Sequence, residues 1–342
     1  MRALITGGAG FIGSHLAEAL LHQGDEVVVL DDLSTGKLEN IAHLTAWPRF
    51  SYTVGSVTNE RLVANLIDQC DVVFHLAAAV GVRLVVNAPV HTIETNVHGT
   101  ETVLRQAARG KKLVVVASTS EVYGKSTVFP FREDADLVLG QPTKPRWGYA
   151  ASKLLDEFLA LAYWQEQQVP VIVVRFFNTV GPRQCSRYGM VIPNFVRQAL
   201  AGKPLTVHGT GLQTRSFTWV GDVVWALLAL VAEPRSVGQV FNIGNGAEVS
   251  IRQLASMVVA LTGSESDIRF VPYYEVFGHN FEDMSRRVPD ISKIRRLVGY
   301  EPTVQLKQML ERVIEYWRPE LSTVPPGVHL SAWQDPAALL VH

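Results

Sequence analysis

The run Gly7-Gly8-Ala9-Gly10-Phe11-Ile12-Gly13, directly behind Arg2-Ala3-Leu4-Ile5-Thr6, constrains this chain more than any other feature. Residues 2–6 read as a short buried strand, and residues 13–22 place Leu16, Ala19 and Leu20 on one helical face. Strand, glycine turn and helix in that order form a dinucleotide-binding βα unit. Gly7 allows the tight turn, Gly10 lets the backbone approach a pyrophosphate, and Gly13 lets helix and strand pack closely. Phe11 and Ile12 then open a helix whose N-terminal N–H groups and partial positive charge favour phosphate. The next strand, 26–30, ends at Asp31, where a carboxylate can bind a ribose 2′-OH and repel a 2′-phosphate, so NAD is expected rather than NADP. The plain alternative is a glycine turn followed by a solvated Asp31-Asp32 pair.

Strand and helix patterns alternate beyond this unit. Strands are predicted at 2–6, 26–30, 50–54, 72–76, 112–117 and 171–176, with the clearest helices at 13–22, 59–68, 94–109 and 149–167. This alternation predicts an α/β fold: a Rossmann, doubly wound parallel sheet with a smaller C-terminal α/β substrate domain. The texture changes after Gly181-Pro182, with a helix at 190–201 and a strand followed by a helix over 217–232. The expected division is an NAD-binding domain at 1–180 with a return segment at 211–240. A substrate domain follows at 181–210 and 241–318, and a tail at 319–342 holds Pro325-Pro326-Gly327.

Composition excludes several classes. Hydrophobic residues make up 47% and charged residues 18%, which argues against disorder, and a net charge of -1 leaves no basic footprint for nucleic acid. The longest strongly apolar run, near 223–232, is too short to span a bilayer. Two cysteines, Cys70 and Cys185, are too few for a disulfide framework and are expected as reduced thiols. With a core strand starting at the N-terminus, no signal peptide is expected and a cytoplasmic location is. Ten histidines lack ligand spacing, so no catalytic metal is expected.

A second motif bears on chemistry. Tyr149 and Lys153 are four residues apart within a predicted helix, so both side chains share a face. An ammonium there favours ionised Tyr149 and lowers its pKa, giving a phenolate able to take a proton from a sugar hydroxyl. Alone, Tyr-x-x-x-Lys is common on ordinary helix surfaces. Ser118-Thr119-Ser120-Glu121, about thirty residues earlier, adds hydroxyls and a carboxylate.

Together these segments resemble the extended short-chain dehydrogenases/reductases that act on nucleotide sugars, the NAD-dependent epimerase/dehydratase family. The resemblance runs from residue 1 to about 318. It is carried by Thr6 to Gly13, Asp31-Asp32-Leu33-Ser34-Thr35-Gly36, His75-Leu76-Ala77-Ala78, Ser118 to Gly124, Tyr149 with Lys153, Asn178 to Arg183, Gln213 to Phe217 and Arg286 to Asp290. It implies NAD held by Gly7, Gly10, Phe11, Ile12, Gly13, Asp31, Asp32, Ser34, Thr35 and Gly36. Ser56, Val57, Leu76, Ala77, Ala78, Tyr149 and Lys153 complete that set. It implies a nucleotide sugar, a UDP-sugar favoured, against Asn178, Arg183, Val191, Arg215, Arg286 and Arg287. Tyr149 removes the O4 proton, Lys153 holds the nicotinamide ribose, and Thr119 hydrogen-bonds O4. What happens to the 4-keto sugar names the reaction.

Glu121 weighs most on that question. Simple 4-epimerases of the family usually carry a small or apolar residue there, whereas decarboxylases and dehydratases use a glutamate near C5. Ser-Thr-Ser-Glu-Val-Tyr-Gly resembles UDP-glucuronate decarboxylases, and Arg146-Trp147-Gly148-Tyr149 resembles a related decarboxylase. Oxidation at C4 makes the C6 carboxylate a β-keto acid, whose loss of carbon dioxide leaves an enolate that nearby donors stabilise. Arg287 is the candidate for that carboxylate or for ordering Glu121; equally, Arg286 and Arg287 can both serve the diphosphate. Arg215 is a stronger diphosphate candidate, because a guanidinium forks onto phosphate oxygens. A UDP-sugar 4-epimerase and a non-catalytic NAD sensor stay open. A 4,6-dehydratase is disfavoured because Ser120 stands where such enzymes carry an aspartic acid. Three departures touch substrate choice: Ser56 where an adenine-contacting aspartate is common, no glycine before Lys153, and Thr210 in place of aspartate. Apolar residues beyond one stripe on helices 94–109 and 149–167 (Val97, Val103, Leu104; Leu154, Leu155, Phe158, Leu159) imply, by the resemblance, a homodimer with a four-helix interface.

Overall fold

The glycine turn lies at the point where a parallel sheet reverses its winding. The computed structural model describes residues 1–186, 189–278 and 281–322. Its main sheet is built from β1 (Arg2–Thr6), β2 (Glu26–Asp31), β3 (Phe50–Val54), β4 (Val72–His75), β5 (Leu113–Thr119), β6 (Val171–Phe176) and a further strand, Gln239–Ile243. The order is Gln239–Ile243, β6, β5, β4, β1, β2, β3, with every pairing parallel. The chain leaves β1 toward β2 and β3, then crosses back to β4 on the other side of β1. That reversal opens a crevice at the carboxyl ends of β1 and β4, where α/β sheets bind ligands.

The strands are nearly continuous apolar runs because helices cover both faces. Along β1 the side chains alternate: Ala3 and Ile5 enter one core cluster and Leu4 the other. The first face is covered by α1 (Phe11–His22) and by the helix Val220–Ala232, through Leu16, Leu20, Val223 and Leu227. The second is covered by α2 (Glu60–Ile67), α4 (Pro89–Gly110) and α5 (Arg146–Gln167), through Val63, Ile67, Val103, Leu104 and Ala160; a short α3 (Val82–Asn87) precedes α4. Each buried aliphatic side chain contributes roughly 1.5–3 kcal/mol. A separate cluster forms where α6 (Val191–Leu200), Ile251–Thr262 and Leu306–Ser322 meet, around Phe195, Leu254, Val258 and Val313.

The parallel α/β architecture expected from the sequence is present. Gln239–Ile243 was not anticipated as a sheet strand; it pairs with β6 over five residues. The apolar positions assigned to a dimer face are partly corrected. Val103 and Leu104 are fully buried in the core, because that face of α4 lies on the sheet. The exposed apolar residues of α4 and α5 are Val90, Ile93, Leu155 and Phe158. Of the segment set apart as a tail, residues 323–342 lie outside the described residues.

Candidate active site

A cavity of about 820 Å³ runs from the glycine turn across the ends of β1, β4 and β5 to the second apolar cluster. At one end the backbone is pared down for close approach. Gly7 has φ +74°, and a Cβ there would sit 2.8 Å from the backbone nitrogen of Ala77. A Cβ on Gly13 would press within 2.7 Å of Gly8 Cα, so only glycine lets α1 start this close to β1. No side chain caps α1 at Gly10 and no acidic residue occupies its first turn, so its opening N–H groups are free to meet an anion. Asp31, at the end of β2, is only 7% exposed, yet its carboxylate lines the cavity. It accepts from the N–H of Ala9 at 2.9 Å and of Leu33 at 2.8 Å, which fixes its direction. Burial raises its pKa while those N–H donors oppose the rise. An unobstructed helix start beside a fixed carboxylate fits a dinucleotide with a free ribose 2′-OH.

Most of the residues expected to touch NAD converge here: Gly7, Gly10, Phe11, Ile12, Gly13, Asp31, Asp32, Ser34, Thr35, Val57, Leu76, Ala77 and Ala78. Gly36 and Ser56 are not among the lining. Gly36 gives room to the Asp31 carboxylate, whose Oδ1 would be 2.8 Å from a Cβ. The Ser56 hydroxyl is taken by Thr58, at 2.8 Å from its Oγ1.

At the centre of the cavity, the end of β5 delivers Thr119, the 3-10 turn Ser120–Tyr123 behind it delivers Ser120 and Glu121, and the first turns of α5 deliver Tyr149 and Lys153. A buried pair behind them locks these two elements together. Arg175 on β6 donates to both oxygens of Glu157 on α5, at 2.9 and 2.7 Å, and the Ser118 hydroxyl donates to the same carboxylate. Asn96 of α4 reaches both the backbone of Ala79 and the hydroxyl of Ser152, at 2.8 and 3.1 Å, tying the β4 loop to α5. The catalytic candidates thus stand on rigid elements.

Tyr149 is 8% exposed and bonded to the Thr119 hydroxyl. The lowered phenol pKa expected from Lys153 is not what the structure holds. Burial, then the nearby Glu121 carboxylate, keeps the Tyr149 phenol above its ordinary value, and the Thr119 bond only partly offsets this. Lys153 is itself paired: its Nζ donates to Asp156 at 2.7 Å, and that carboxylate adds to the rise.

Glu121 sits in a cluster of charge. Its Oε1 accepts from Arg146 and from Arg287, each at 3.3 Å. Asp283 accepts from Arg215 at 2.9 Å, lies 3.1 Å from Arg146, and receives the Tyr273 hydroxyl at 2.9 Å. Three guanidiniums against two carboxylates leave one excess positive charge, mostly out of water. Burial, and then the neighbouring Arg215, pulls the Arg287 pKa down to about 10. For Asp283, burial opposes ionisation, but Arg146 and Arg215 outweigh it and hold the carboxyl low. Such a cluster suits a further anionic group.

The expected substrate residues divide. Asn178, Arg183, Val191, Arg215 and Arg287 line the cavity. Arg286 does not; its guanidinium forks onto Glu248 at 2.9 and 3.1 Å and lies over the ring of Phe129. It alternates with Arg287 on a strand, so the two point to opposite sides. Arg183 lines the cavity but is tied to Glu18 of α1 at 2.7 Å, outside the arginine cluster. Arg146, Tyr273 and Asp283 were given no site role from the sequence. Arg146 had a usable signal, since it precedes Tyr149 by three residues on one helix. Asp283 had none: it stands in a short irregular segment.

The family model described as GDP-mannose 4,6 dehydratase matches residues 4–313. A UDP-N-acetyl-alpha-D-glucosaminuronate decarboxylase from Bacillus cytotoxicus is 44% identical over 318 residues, 93% of this chain and 98% of that protein. A UDP-glucuronic acid decarboxylase 1 from Xenopus tropicalis is 39% identical, over 94% of this chain and 73% of its own length. Among solved structures, a UDP-glucuronic acid 4-epimerase from Bacillus cereus, in complex with UDP-glucuronic acid and NAD, is similar with a TM-score of 0.85 at 31% identity. That match covers 94% of this chain and all of the other.

Proposed function

The chain belongs to the GDP-mannose 4,6 dehydratase family, and we propose from its site that it is an NAD-dependent decarboxylase of a UDP-linked uronate. The observation that carries this reading is Glu121, held between Arg146 and Arg287 beside Tyr149. A neutral hexose offers nothing to two buried guanidiniums, whereas a uronate brings a carboxylate. The named relatives in Bacillus cytotoxicus and Xenopus tropicalis both decarboxylate a UDP-linked uronate and differ in the substituent at C2 of the sugar.

Gly7–Gly13 and the start of α1 would hold the diphosphate of NAD, and Asp31 would hold its adenosine ribose. When bound, NAD supplies the acceptor for the two electrons taken from C4. Tyr149 takes the O4 proton as the C4 alcohol becomes a ketone, and Thr119 orients that oxygen. The C5–C6 bond then breaks, carbon dioxide leaves, and its electron pair passes into an enolate at C4–C5. Arg146 and Arg287 orient the departing carboxylate, and C5 takes a proton from water by way of Glu121 to give a 4-keto pentose. Return of the hydride to C4, with the Tyr149 proton to O4, leaves loss of carbon dioxide as the only net change. Arg215, anchored by Asp283, serves the diphosphate.

A second reading, a UDP-sugar 4-epimerase, is favoured by the likeness to the Bacillus cereus structure. Products separate the two. Incubation with NAD and a panel of UDP-sugars should give a product lighter than a uronate substrate by one carbon dioxide. An unchanged mass points to epimerisation and loss of one water to dehydration.

We also propose a homodimer through Val90, Ile93, Leu155 and Phe158, which leave apolar area on the α4–α5 face. Light scattering at micromolar protein should give twice the chain mass, and Phe158→Glu should halve it; a monomeric parent would contradict this. A cytoplasmic location is consistent with a chain of only two cysteines, of which Cys70 is a buried free thiol. No helix among the described residues is long and apolar enough to cross a membrane.

A further inference from the structure

One buried acid next to the reaction centre has no part in the chemistry above. Asp156 is fully buried, one turn beyond Lys153 on α5, and accepts from Lys153 Nζ at 2.7 Å. The Thr100 hydroxyl of α4 lies beside the Asp156 carboxyl and favours its ionised form, while Asp156 Oδ1 is buried with no hydrogen-bond partner among the described residues. Thr100 Oγ1 stands 3.0 Å from Nε2 of His75 at the end of β4, and His75 Nδ1 stands 2.8 Å from the Thr6 hydroxyl at the end of β1. Lys153, Asp156, Thr100, His75 and Thr6 thus form one chain of buried polar groups from the reaction centre to the strand that enters the glycine turn. Glu157, the other acid facing Asp156, is saturated by Arg175.

A fully buried ion pair is a poor source of stability, because desolvating both charges cancels most of their attraction. The pair also lies within α5 alone, so it does not tie that helix to another element. We propose that Asp156 is a positioning residue for the reaction, which holds the Lys153 ammonium in place beside Tyr149 and so sets how much positive charge the phenol feels. The groups acting on Tyr149 divide by charge. Burial raises the phenol pKa most, the Glu121 and Asp156 carboxylates raise it further, and the Thr119 hydroxyl and the Arg287 guanidinium lower it. His75 adds no opposing charge: burial, and then Lys153, brings its pKa down to about 3, so the ring is neutral at working pH. Removing the Asp156 charge leaves the Lys153 ammonium unbalanced and takes a negative charge away from the phenol. Both changes favour the phenolate.

This inference rests on Tyr149 being the base. In Asp156→Asn with NAD and UDP-glucuronate, the acid limb of the first-turnover rate should move about one pH unit lower. The phenolate difference absorbance against Tyr149→Phe, recorded without substrate, should shift the same way. Asp156→Glu, which keeps the charge, should leave the limb at the parent position. If Asp156→Asn does not fold, Asp156→Ser removes the same charge in less volume and should show the same shift. An acid limb unmoved in the neutral variants, with only amplitude or melting temperature reduced, would overturn the proposal and leave Asp156 a structural ion pair. Tyr149→Phe separates the two failures. If it still reduces NAD, the reading of Tyr149 fails; if it is inert while the Asp156→Asn limb stays put, only the Asp156 proposal fails.

Discussion

Tyr149→Phe should abolish reduction of NAD by UDP-glucuronate while leaving NAD bound. The phenol is 8% exposed and bonded to Thr119, so the variant keeps the ring's packing and loses only the oxygen that takes the O4 proton. Loss of a general base costs about a hundred- to ten-thousand-fold in rate. The fall should appear in the first turnover, read as absorbance of the reduced nicotinamide after rapid mixing. The phenol is held above its ordinary pKa, so the parent rate should climb with pH through neutrality as more of it ionises. Tyr149→Phe should lose that slope. A variant that keeps parental rate and slope would contradict the assigned role.

Glu121→Gln should stop a later step. The glutamine keeps the size of the side chain and an oxygen that can accept from Arg146 or Arg287, so two buried guanidiniums are not left bare. Oxidation at C4 needs only Tyr149 and Thr119 and should proceed, so reduced nicotinamide appears and persists. Release of product should fall about a hundredfold or more, with the keto sugar retained by the protein. KM for the uronate should not rise, because the variant raises the excess positive charge of the cluster by one. Mass spectrometry of the quenched mixture reads the retained sugar. Parental turnover in Glu121→Gln would shift the balance to the 4-epimerase.

The fold was legible where local chemistry leaves few options. Gly7 at positive φ against Ala77 and Gly13 against Gly8 are positions where a side chain does not fit, and such demands show in the sequence as glycines at fixed spacing. The apolar runs of β2, β4, β5 and β6 reflect a sheet covered on both faces. Gln239–Ile243 was missed because two of its five residues are polar. Asn242 is nevertheless fully buried, since its amide donates to the carbonyls of Phe131 and Asp290, contacts that no local pattern foretells. The site divides in the same way. Tyr149, Lys153, Thr119 and Glu121 sit in motifs; Asp283 enters only because a distant loop packs it between Arg146 and Arg215. The lowered phenol pKa failed as an expectation because the burial of Tyr149 beside the Glu121 carboxylate was not legible, and because Lys153 was read without its partner. Asp156 was visible three residues further along, but its full burial was not.

The most direct test of the decarboxylase reading is the fate of C6. UDP-glucuronate labelled at that carbon should be incubated with the protein and NAD, and the gas collected. The account predicts labelled carbon dioxide in step with product, lost in Tyr149→Phe and sharply reduced in Glu121→Gln. Label that stays entirely in a sugar nucleotide isomeric with the substrate would contradict it.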